Sequence, residues 1–88
     1  MRIRSGVVEW REVEGEIVAL DLRSQTYLGI NRTGAAIWPA LIAGAERAAL
    51  IAELTEKFRV SEDQAAADLD AFLAQLRDQD LLEEPEAA

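Results

Sequence analysis

Residues 27–38, Tyr-Leu-Gly-Ile-Asn-Arg-Thr-Gly-Ala-Ala-Ile-Trp, change period halfway. Up to Ile30 the apolar residues alternate, as they do along a strand. Ile37, Trp38 and Leu41 then recur at helical spacing. Asn31 stands at the hinge, where its side chain can accept a backbone N–H from the first turn of a helix. A strand that runs straight into a helix fixes the local architecture. Nothing in the stretch can act as an acid, base or nucleophile at neutral pH, so it points to a protein that holds a ligand.

Alternation also marks two earlier strands. In Val7–Val13, Val8 and Trp10 share one face and Glu9 and Arg11 the other. In Glu16–Leu22, Val18, Leu20 and Leu22 oppose Ile17, Ala19 and Asp21. Glu14-Gly15 suits a two-residue hairpin, because glycine accepts positive φ. Arg23-Ser24 turns the chain into a third strand, Gln25–Ile30. There Thr26, Leu28 and Ile30 face one way and Gln25, Tyr27 and Gly29 the other. Three hairpin-linked strands form an antiparallel meander, and helices must cover its apolar face.

Three helices are expected after Asn31. The first runs to about Ile42, with Pro39 predicting a kink or an early end, since proline removes a helical hydrogen bond. The second spans Glu46–Phe58, with Leu50, Ile51, Leu54 and Phe58 on one face. The third opens at Ser61, whose Ser-Glu-Asp-Gln pattern fits a capping box, and ends near Gln79. Its inward stripe is Ala65, Leu69, Phe72, Leu73 and Leu76. Leu81 and Leu82 are expected to fold back on the core, and Glu83–Ala88 to fray as an acidic tail. The fold class is α+β: a three-stranded antiparallel sheet followed by three helices, in a single domain over residues 1–82.

Composition narrows the function. The 88 residues include no cysteine and no histidine. The first absence removes disulfides and thiolate metal sites; the second removes the side chain best suited to proton transfer near neutral pH. Catalysis, a bound cofactor and a metal are therefore not expected. Asp68/Asp70 and Asp78/Asp80 lie two apart on a helix, so they do not share a face, whereas a hard cation wants six or more converging oxygens. Trp10 and Trp38 fall on apolar stripes and read as core. No apolar run approaches the ~20 residues of a membrane span, and no secretory signal is evident, so a cytoplasmic protein with no membrane partner is expected.

The net charge of −8 is unevenly placed. Residues 1–60 carry eight acids and eight bases; residues 61–88 carry nine acids against Arg77 alone. Three strands with a helix–turn–helix invite a DNA-binding reading, and charge opposes it. The would-be reading helix is the acidic one, and phosphates would repel it.

Tyr27, Ile30-Asn31, Gly34 and Ile37-Trp38 resemble the signature of the PQQ-biosynthesis protein D family, the RiPP recognition elements. Phe58-x-Val60, Asp68-Leu69, Phe72-Leu73, Leu76 and Leu81-Leu82 are similar to the remainder of its pattern, so the likeness covers about residues 7–82. Pro39 and Asp80 depart from it; a glycine is expected at the second position. The resemblance implies a winged helix-turn-helix-like domain that holds the leader of a ribosomally made precursor peptide. A free-standing member resembles the leader-binding proteins of split lasso-peptide systems. Its partners would be a leader peptidase of the transglutaminase-like cysteine protease type and a macrocyclase. The alternatives are a chaperone for a radical SAM maturation enzyme, or an acidic winged-helix regulator or adaptor.

The third strand is expected to be an edge that pairs with an incoming peptide, since strand addition recruits unpaired backbone groups. Its contributors would be Tyr27, Leu28, Gly29 and Ile30. A second wall would come from Ala66, Leu69, Asp70, Leu73 and Arg77, along one flank of the third helix. The acidity of that helix implies leaders that carry basic side chains near the contact, or lack acidic ones.

Overall fold

The computed structural model describes residues 1–84. Their order is β1 (Arg2–Ile3), β2 (Val8–Val13), β3 (Glu16–Asp21), β4 (Thr26–Ile30), α1 (Arg32–Ala43), α2 (Arg47–Phe58), α3 (Glu62–Asp78) and β5 (Leu82–Glu83). Strands β2, β3 and β4 form an antiparallel sheet in that order. This is the expected meander followed by three helices. Val13 faces Glu16 across the first hairpin. Glu14 and Gly15 both have positive φ, 53° and 82°, as a two-residue turn of this kind demands. The third strand starts one residue later than the sequence suggests. Gln25 sits at φ 56° and donates its N–H to the Asp21 carbonyl at 2.8 Å, so it belongs to the turn.

Register decides which face is inside. Ala19 lies between Trp10 and Leu28, and Ile17 is opposite Ile30. These side chains face the helices, while Val18, Leu20 and Tyr27 look outward. Helix α1 lies against this face and buries Ile37, Trp38 and Leu41 completely. Trp10 is less enclosed than its stripe suggests: it stays 42% exposed, on the edge strand β2. It still meets Trp38 edge to face, with ring centroids 6.0 Å apart and planes at 74°. The Asn31 side chain caps α1 by accepting the Gly34 N–H at 3.1 Å. The helix does not end at Pro39 but continues to Ala43. Pro39 is exposed, so water can replace the hydrogen bond that its ring removes.

Helix α2 buries Leu50, Ile51 and Leu54; Phe58 in its last turn remains 40% exposed. Ser61 caps α3 through the Gln64 N–H at 3.1 Å. Ala65, Leu69, Phe72, Leu73 and Leu76 then form the buried stripe that periodicity predicts. Leu81 and Leu82 return to the core. Beyond them the structure differs from the expected fraying: Glu83 belongs to β5, which pairs with β1 through Arg2↔Glu83 and Ile3↔Leu82. Residues 85–88 of the expected tail lie outside the described residues.

Asp80 has a structural explanation. Its φ is 54°, in the left-handed region that favours glycine. Aspartate tolerates that region better than most residues, and here its carboxylate is occupied. Oδ1 accepts from Arg4 at 3.1 Å and Oδ2 from Arg23 at 3.2 Å. Arg23 also donates to the Gln79 and Asp80 carbonyls, both at 3.0 Å. The β3–β4 turn is thereby fastened to the C-terminus of α3.

Candidate functional site

The open edge of β4 can be resolved group by group. Leu22 N–H donates to the Val7 carbonyl at 2.9 Å, one step beyond the Val8↔Asp21 pair. Backbone N–H and C=O directions alternate along an antiparallel strand. Leu20 and Val18 therefore also point to β2, while Asp21, Ala19 and Ile17 point to β4. Their partners Thr26, Leu28 and Ile30 bond inward. That leaves the N–H and C=O groups of Tyr27 and Gly29 directed away from the sheet. Gly29 has no internal reason to be glycine: a Cβ built there would meet nothing within 4 Å, and its φ is not in the left-handed region. Glycine in a strand costs roughly 0.5–1 kcal/mol relative to alanine.

Beside this edge runs a groove of about 310 Å³, lined by Gly29, Asn31, Thr33, Asp68, Ala71, Phe72 and Gln75. One wall is the end of β4 and the start of α1; the other is α3. Its walls are braced at two points. At the β3–β4 turn, Arg23 grips the two residues that follow α3, Gln79 and Asp80. At the other point, Gly34 of α1 fits between Ile30 and Phe72. A Cβ on Gly34 would lie 2.6 Å from Ile30 Cγ2 and 2.8 Å from Phe72 Cε1, so only glycine lets these elements meet.

The residues expected to form the site divide between the groove and other places. Tyr27 is 75% exposed on the outer face of the sheet. Gly29 lines the groove, Leu28 is half-buried on the inner face, and Ile30 is buried. On α3 the expected wall does not face β4. Leu69 and Leu73 are core residues, Leu73 only 1% exposed, and Ala66 is half-buried on the flank they share with α2. Asp70 is held there by Arg47 of α2, at 3.1 and 2.9 Å. Arg77 is engaged by Glu84. The groove wall is instead the row Asp68, Ala71, Phe72 and Gln75, on the other side of the buried stripe.

These ion pairs shift the acids in one direction. Hydrogen bonds from Arg47 hold Asp70 below the usual carboxylate range, and Arg77 does the same to Glu84. Asp21 is also lowered, first by the Arg23 side chain and then by the Arg23 backbone N–H. None of the three lines the groove. Among the described residues, no cluster of carboxylates is arranged to hold a metal ion, and no helix is long and apolar enough to cross a membrane.

The short link from Phe58 to Ser61 lays α2 alongside one flank of α3, and the charge pair Arg47–Asp70 marks that flank. The row on the other side, Asp68, Ala71, Phe72 and Gln75, lines the groove beside β4.

The model of the family described as coenzyme PQQ synthesis protein D matches residues 16–82. Two solved structures share the fold. TbiB1, in complex with the TbiA(beta) leader peptide, is 29% identical with a TM-score of 0.85, over 99% of this chain and 100% of that one. A lasso peptide synthetase B1 complexed with the leader peptide is 28% identical with a TM-score of 0.77, over 91% and 93%. No curated protein matches the sequence.

Proposed function

The chain belongs to the family of coenzyme PQQ synthesis protein D, and from that premise we propose that it binds the leader segment of a ribosomally made precursor as an added strand on β4. The observation that carries this reading is the open edge at Tyr27 and Gly29 beside a groove of about 310 Å³. Both similar structures are of leader-peptide complexes, and the second is of a lasso peptide synthetase component, which favours a lasso precursor. The protein acts without catalysis of its own. It presents the leader to a separate peptidase and then to a cyclase. The family's association with coenzyme PQQ supports a second reading, in which the enzyme served is a radical one.

An added strand would lie about 4.8 Å from β4 and take up the outward groups of Tyr27 and Gly29. Backbone pairing supplies affinity with little sequence information. Alternate peptide side chains would then point outward past Tyr27 or inward to Ala71, Phe72 and Gln75, and the inward ones set selectivity.

The test uses lasso-precursor leader peptides, the TbiA(beta) leader among them, labelled and titrated by fluorescence anisotropy. Two variants address the edge and the groove separately. Gly29→Pro removes an outward N–H that the sheet does not use, at an edge position where proline is tolerated. Ala71→Trp fills the groove from an exposed helical position. Loss of binding in both, with circular dichroism unchanged, is the expected result; full affinity in both would place the peptide elsewhere.

A further inference from the structure

Four carboxylates among the described residues are wholly or partly buried: Asp21, Glu53, Asp68 and Glu83. Three of them hold a cation: Asp21 has Arg23, Glu53 has Lys57, and Glu83 has Arg2. Asp68 has none. Its one hydrogen bond is from the neutral amide of Gln64, at 2.9 Å. It is also the sole charged side chain in the groove, whose other lining residues are Gly29, Asn31, Thr33, Ala71, Phe72 and Gln75.

Two of the arginines that could have served it are paired elsewhere, and a third points away. Arg47 is on Asp70 and Arg77 on Glu84. Arg32, next to the groove in sequence, lies with its guanidinium beside Gly15 in the β2–β3 turn. Asp68 is partly exposed, so water can solvate it in the free protein. A peptide laid into the groove would remove that water, and a carboxylate stripped of water without a partner is strongly unfavourable. The occupant must supply the partner.

Resting on the leader-binding reading above, we propose that Asp68 is the specificity residue of the groove and that it selects a lysine or arginine in the bound peptide. The position of that side chain follows from the geometry. Helix α3 runs antiparallel to β4, because Arg23 holds Gln79, just past the helix, at the start of β4 and Phe72 meets Gly34 beyond the end of β4. Asp68 lies a turn further toward the N-terminus of α3, at the Asn31–Thr33 end. Peptide residues abreast of Tyr27 and Gly29 turn their side chains to the outer face, as those two residues do. The cation therefore comes from an alternate residue that faces α3, at the Asn31–Thr33 end of the groove. An acidic residue there is excluded for the same reason that a basic one is favoured.

A displayed library of random peptides, selected against the full chain and against Asp68→Asn and Asp68→Lys, tests the assignment. Asp68 makes one exposed hydrogen bond, so both variants should fold as the parent does, which circular dichroism checks. The parent should enrich lysine or arginine at one fixed register. Asp68→Asn should lose that preference, with parent-selected peptides binding about tenfold more weakly. Asp68→Lys should exchange the preference for aspartate or glutamate. Peptides that are enriched equally by parent and Asp68→Lys, with no charge preference, would overturn the role of Asp68 while leaving strand docking intact. If no peptide is enriched by any of the three proteins, the leader-binding reading fails, and this inference with it.

Discussion

On the flank of α3 that faces α2, every long side chain is engaged: Asp70 with Arg47, Arg77 with Glu84, and Leu73 in the core. On the flank that faces β4, Asp68, Ala71, Phe72 and Gln75 line a groove with no charged partner across it. The two rows have the same helical spacing and lie a quarter-turn or more to either side of one buried stripe. Their difference is therefore not a matter of amphipathicity. One row is paired within the fold; the other lines an open groove.

The sharpest way to break this comparison is to substitute the same helix on its two sides. Leu73→Asp puts a charge into a sealed position and should remove about 4 kcal/mol or more, enough to unfold a domain this small, as a urea titration would report. Ala71→Trp should leave the urea midpoint within experimental scatter and weaken leader binding about a hundredfold. If Leu73→Asp stays folded and Ala71→Trp does not, the assignment of the two flanks is reversed. Next in size is Gly34→Ala. Its Cβ would push Phe72 and Ile30 apart, costing about 1–3 kcal/mol by overpacking, partly offset by the better helix propensity of alanine. Thermal melts should show the loss, and binding should weaken too, since Phe72 belongs to both core and groove.

A smaller effect comes from acid. Asp21, Asp70 and Glu84 are all lowered by arginine hydrogen bonds, so the native state holds fewer protons on them than the unfolded chain does. Their stabilisation is complete above the unfolded carboxylate pKa, about 4, and fades as pH falls through the lower native values. Urea midpoints should hold steady from neutral pH to about pH 5 and drop below about pH 4, and Asp21→Asn should flatten that drop. The least effect is expected from Asp70→Asn: its pair with Arg47 is exposed, and exposed pairs contribute little. Binding should not change at all, and a clear loss would return Asp70 to the site.

Much of the fold is legible because local rules decide it. The alternation around Leu28, the caps Asn31 and Ser61, and the turn Glu14-Gly15 are each set by a few neighbouring residues. The β1–β5 pair is not legible, since two-residue strands far apart in sequence have no period to read. The open edge at Tyr27 and Gly29 follows from strand order. The helix wall does not. Periodicity locates the inward face of α3, but which flank meets β4 is a handedness of packing that the row 66, 70, 73, 77 satisfies as well as the row 68, 71, 72, 75. Trp10 and Phe58 show a related limit. Both sit in register with buried neighbours, yet an edge strand and a helix end cannot enclose a large side chain.

The groove is braced at two points, by Arg23 on the Gln79 and Asp80 carbonyls and by Gly34 between Ile30 and Phe72. These contacts should hold its width whatever enters it. A peptide arriving there waits for no closure, so rapid-mixing traces should be single exponentials whose observed rate climbs in a straight line with peptide concentration. Cutting Arg23 loose, as in Arg23→Ala, removes one brace and should bend that line toward a plateau, because a slow narrowing would then have to follow each encounter.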